Sequence, residues 1–128
     1  MRSATALILL LVLSACGDAG SPDRGLTVPQ AQANTCREVN EGIAEFNRGD
    51  YAGTVEHFEK AKIPATVLSR ISDEPEADAL LDAVQYYANL DPADYPEAAR
   101  SSEHFARNKA ITLGQCAPLD GGEPASPV

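Results

Sequence analysis

An all-α fold is predicted for residues 33 to 116: a small domain of two antiparallel helical hairpins, four to five helices in all. Two observations carry this. Apolar residues recur at intervals of three and four in successive segments, the period that lines one face of an α-helix. Helix punctuation brackets the same segments. Thr35, Asp50, Ser72 or Asp73, and Asp94 stand where N-caps belong, and Gly49, Pro92 and Gly114 stand where helices should stop.

The first helix is expected to open at Thr35-Cys36-Arg37-Glu38, which has capping-box spacing, and to bury Cys36, Val39, Ile43 and Phe46 before Gly49. Asp50 then caps a second helix with the stripe Tyr51, Val55, Phe58 and Ala61 or Lys62. Because proline is tolerated best in a first helical turn, Pro64 predicts an end near Lys62. A short helix or kinked continuation follows, burying Ile63, Val67, Leu68 and Ile71. From Ser72 or Asp73 runs the clearest stripe, Ala77, Leu80, Leu81, Val84, Tyr87 and Ala88, which stops before Pro92. Asp94-Tyr95-Pro96-Glu97 repeats the cap logic. A last helix then carries Tyr95, Ala99, Ser102, Phe105 or Ala106, Ala110 and Leu113, and Gly114 ends it just before Cys116.

Gly42, Gly49-Asp50-Tyr51, Phe58 and Ala61 together resemble a tetratricopeptide repeat over about 30 residues. In that resemblance Gly42 is the glycine of the first helix, Gly49 and Tyr51 make the turn into the second, Phe58 is its aromatic and Ala61 its small terminal residue. Glu38, Glu41 and Thr54 depart from the pattern, standing where Trp, Leu and Ala are usual. Asp94-Tyr95 mirrors Asp50-Tyr51, which makes the domain repeat-like, with a degenerate second hairpin. The resemblance implies a concave groove that holds a protein or peptide. Tyr86 and Tyr87 are its candidate anchors; adjacent in a helix, they diverge by about 100°, so one can be core. The alternative is that both simply pack at the boundary between helices.

Ahead of the domain, the run Leu7 to Leu13 closes on Leu13-Ser14-Ala15-Cys16, which resembles the lipobox of bacterial lipoproteins. The resemblance implies export, cleavage before Cys16 and a diacylglycerol on its sulfur, with palmitate-type chains holding the protein to a membrane facing the exterior or periplasm. Residues 1–15 then form the signal peptide, with Arg2 as its positive end and an apolar run too short to span a bilayer. Two acyl chains make such attachment stable. The alternative is an ordinary secretory signal with Cys16 as an incidental thiol. Residues 16–32, rich in Gly, Pro and polar side chains, are expected to be a flexible tether, and 117–128 a disordered tail.

With Cys16 assigned to lipid, Cys36 and Cys116 remain at the two edges of the domain, and an oxidising compartment favours a disulfide between them. Two buried thiols are the alternative. A core of about 84 residues gains from such a staple.

Without Arg2, nine basic residues face 19 acidic ones, a balance that disfavours nucleic acid and anionic headgroups as partners. Eight acidic residues from Asp73 to Glu97 follow one another without an intervening Lys or Arg, as a solvated helix face with N-cap carboxylates does; the alternative is a docking face for a basic partner or a cation. No catalytic or cofactor motif is present, and neither His57 nor His104 stands in metal-ligand spacing. No enzyme activity, cofactor or metal is therefore expected. The reading that follows is a lipid-anchored helical module of the cell envelope that binds a protein or peptide. The alternatives are a small envelope enzyme around His104 and a structural envelope lipoprotein without a specific ligand.

Overall fold

The computed structural model describes residues 25–117, an all-α domain in which helix α1 spans Val28–Asn47, α2 Tyr51–Ile71, α3 Pro75–Asn89, α4 Tyr95–Ser101 and α5 Glu103–Cys116. The expected signal peptide 1–15, Cys16 with most of the expected tether, and residues 118–128 of the expected tail lie outside the described residues.

Helix α1 starts eight residues before the predicted Cys36, so residues 28–32 of the expected tether are helical. The reason is a second capping box: Thr27 Oγ1 accepts from Gln30 N (3.2 Å) and Gln30 Oε1 accepts from Thr27 N (2.9 Å), with Pro29 in the first turn. Thr35 is not a cap but an interior residue whose hydroxyl donates to Ala31 O at 2.8 Å, and both residues are buried. Gly49, at φ 78°, makes the left-handed exit from α1, its amide donating to Phe46 O at 2.9 Å. Asp50 caps α2 as expected, accepting from Gly53 N at 2.8 Å.

Helix α2 runs without interruption through Pro64, contrary to the predicted end near Lys62. An interior proline costs about 3 kcal/mol. On either side of it, however, α2 buries Phe58, Ala61, Ala65, Val67 and Leu68, and the large ones are each worth about 1.5–3 kcal/mol. Burial wins. Ile63 and Ile71, expected to face the core, are instead exposed.

Ser72 ends α2, and its hydroxyl accepts from Glu74 N at 3.2 Å, so α3 starts at Pro75 and not at Ser72 or Asp73. The buried face of α3 holds Ala77, Leu80, Val84, Tyr87 and Ala88 of the predicted stripe, with Ala83 added and Leu81 only half-buried. After a 3-10 turn at Pro92–Asp94, the single last helix that was predicted is two. The chain breaks at Ser102 (φ −90°, ψ 122°), whose Oγ caps α5 by accepting from Phe105 N at 3.1 Å. Serine is a strong N-cap former, and here that preference overrides the apolar period. Gly114 does not stop α5, which runs on to Cys116.

The long helices close into a ring in which α1 packs on α2, α2 on α3, α3 on α5 and α5 back on α1. Each neighbouring pair is antiparallel. Phe46 meets Tyr51 beside the first turn, Phe58 meets Tyr87, Gln115 Nε2 donates to Glu76 O (2.8 Å), and Cys36 and Cys116 form a disulfide across the α1–α5 seam. Inside the ring all seven Phe and Tyr residues of the chain join in one connected set of ring contacts. Among the described residues no helix is long and apolar enough to cross a membrane.

Candidate functional site

Among the described residues, a cluster of side chains of metal-ligating type lies on the α1–α2 seam. Glu38 and Glu41, one helical turn apart, share a face of α1. Gly42, next along that helix, has no side chain to hold α2 off. A Cβ added there would lie 3.0 Å from Phe58 Cε2 and 3.3 Å from His57 Cβ. The close approach seats Phe58 in the core and sets His57 against the two carboxylates. His57 Nδ1 lies 3.0 Å from Glu38 Oε2 and 3.3 Å from Glu41 Oε2.

The site is a shelf open on one side. The side chains of Glu38 and His57 are 17% and 20% exposed, whereas that of Glu41 is 52% exposed. The three ligand-type atoms all lie within 4.8 Å of one another. Nearby, Lys60 is tied to Glu56 (Nζ–Oε1 3.0 Å), and that hydrogen bond, aided by the charges of Glu56, Glu38 and Glu41, raises its pKa. No motif marked this cluster, because its members come from two helices and lie up to 19 residues apart. The available signal was Gly42 combined with the register of an antiparallel hairpin.

Of the residues to which the sequence points, Cys36 and Cys116 come together, with Cα atoms 4.9 Å apart. Cys16, the residue assigned to lipid attachment, lies outside the described residues. Tyr87 is core and not a groove anchor: it is 4% exposed, its hydroxyl donates to Phe105 O at 2.7 Å, and it accepts at its own carbonyl from Tyr95 Oη at 2.6 Å. Burial pushes the pKa of both phenols upward. Tyr86 is half-buried, packed on Tyr87 and Phe105, with its hydroxyl 3.4 Å from Ser102 Oγ. The two rings meet edge to face, with centroids 5.1 Å apart, and Tyr86 turns toward the α5 cap. His104 is exposed on α5, with Arg107 Nη2 2.7 Å from its Nδ1, while Ser102 Oγ is engaged with Phe105 N and Tyr86.

Among the described residues, the large apolar side chains that remain exposed are Val28, Ile63 and Ile71. Ile63 sits with Lys62, Thr66 and Arg70 around a shallow depression on the outer face of α2. The acidic run from Asp73 to Glu97 lies mostly on the exposed faces of α3, the 3-10 turn and α4. No family model, curated protein or solved structure matches the chain.

Proposed function

We propose that the protein is a lipid-anchored helical module of the cell envelope that works by contact with a protein or peptide. One observation carries the anchor: with Cys36 bonded to Cys116, Cys16 is the one cysteine left, and it stands in the lipobox-like sequence. A disulfide also suits an exported domain. From Cys16 to the Thr27 cap the chain can reach at most about 40 Å, which keeps the domain close to the bilayer that holds it.

The contact surface of this reading is not a groove between hairpins. The aromatic residues that commonly anchor partners are spent on the interior, and the ring of helices is closed by α5 packing on α1. The outer face of α2 offers an alternative, with Ile63 62% exposed beside Lys62, Thr66 and Arg70 on an otherwise acidic chain.

Two variants test the two halves. Cys16→Ser should move the protein from the membrane fraction to the soluble fraction, and retention at the membrane would remove the anchor. Affinity purification from detergent-extracted membranes should return a stoichiometric partner with the native chain and lose it with Ile63→Glu, a substitution at a solvent-facing position. A native protein that returns no partner would leave the structural lipoprotein as the better account.

A further inference from the structure

We propose that Glu38, Glu41 and His57 form a binding site for a first-row transition-metal dication of the zinc class. The inference is independent of the lipid anchor, since it rests on the α1–α2 seam alone. The ligand set is mixed, one imidazole and two carboxylates. Imidazole favours zinc and its neighbours over calcium or magnesium, which prefer oxygen donors throughout.

The spacing fits. Zinc binds histidine nitrogen and carboxylate oxygen at about 2.0–2.2 Å, so two adjacent ligands on one metal stand about 2.9–3.5 Å apart. Glu38 Oε2 and Glu41 Oε2 lie 3.0 and 3.3 Å from His57 Nδ1, inside that window. The backbone arrangement brings all three ligand atoms within 4.8 Å of one another, because the two carboxylates share one helix face and Gly42 fixes the approach of the other helix. Glu38 and His57 are largely covered, which limits their rotamers, and the half-exposed Glu41 is free to close on the ion. Electrostatics point the same way. Two carboxylates converge on one imidazole, and Lys60, the lysine that senses both, is held by Glu56. A dication offsets that charge where a hydrogen bond does so only in part. Three protein ligands leave coordination positions open to water or to a donor from a partner, as in exchangeable and not in closed structural sites.

The test is zinc titration by calorimetry on the full chain with its disulfide intact, using zinc chloride as the probe. One zinc per chain is expected, with affinity falling at least about tenfold in Glu38→Gln and in His57→Gln and unchanged in His104→Gln. Absence of binding at millimolar zinc overturns the proposal. So does binding that survives both substitutions or is lost with His104→Gln. X-ray absorption of the zinc-loaded native chain decides the matter even if a variant misfolds. One imidazole with carboxylate oxygens at about 2.0–2.2 Å supports the site, and a sulfur ligand or a shell of oxygen alone overturns it.

Discussion

Single side chains decide how tightly this small core holds. The Tyr87 hydroxyl donates to Phe105 O across the α3–α5 seam, and Tyr87→Phe should lower stability by about 1 kcal/mol in denaturant titration. Burial raises the pKa of both Tyr87 and Tyr95 in the folded state, so the folded protein holds those protons longer than the unfolded chain does. Their contribution is therefore complete below about pH 10, the ordinary phenol value, and is lost progressively as pH rises beyond it. Melting curves through the alkaline range should fall more steeply for the native chain than for Tyr87→Phe. At Gly42 two effects oppose each other. Alanine favours a helix by about 1 kcal/mol over glycine, yet the new methyl would meet the ring of Phe58 at 3.0 Å. Phe58 is 2% exposed and packed in the core, so overpacking by about 1–3 kcal/mol should outweigh the helix gain and Gly42→Ala should cost up to about 2 kcal/mol net, read from the denaturation midpoint. The residue scale is also where sequence reasoning reached least. Glu38, Glu41 and His57 are ordinary polar helix residues until the hairpin register brings them together.

At the scale of the element, local rules were reliable where nothing competed with them. Asp50 as a cap, Gly49 as an exit and the buried stripe of α3 could all be read directly, because each depends on neighbours within one or two turns. The misplaced boundaries have a common cause, a second local signal or a tertiary contact stronger than the first. Thr27-x-x-Gln30 capped α1 ahead of Thr35, burial carried α2 through Pro64, and Ser102 divided the last helix. Gly114 illustrates the difference between a glycine and a stop. It lies in the body of α5, its φ is not positive, and a Cβ there would meet nothing within 4 Å. Gly114→Ala should therefore raise stability by about 0.5–1 kcal/mol, seen as a higher melting temperature. A loss instead would mean that the glycine does terminate the helix.

For the whole molecule, the closing element is the bond between Cys36 and Cys116, 80 residues apart in sequence. The chain-entropy model assigns such a loop about 4.5 kcal/mol, a large share of the 5–15 kcal/mol typical of a whole domain. The paired Cys36→Ser and Cys116→Ser substitutions should remove up to that amount in chemical denaturation. A loss below about 1 kcal/mol would show that helix packing closes the ring unaided. The all-α class and the antiparallel order of helices were legible from spacing and punctuation. Closure was legible only through the expected Cys36–Cys116 pairing, because no local helix signal tells α5 to return to α1. That depends on the aromatic set joining Phe46, Tyr95 and Phe105, which is long-range in sequence. Closure also explains why the Tyr86–Tyr87 pair serves the interior where an open helical array would have left a groove. The account stands or falls on the fates of the three cysteines, and the intact mass of membrane-extracted native protein, with and without reductant, reads all of them at once. It should show loss of residues 1–15, added acyl mass on Cys16 and a gain of two hydrogens on reduction. An unlipidated soluble species, or a mass unchanged by reductant, would contradict it.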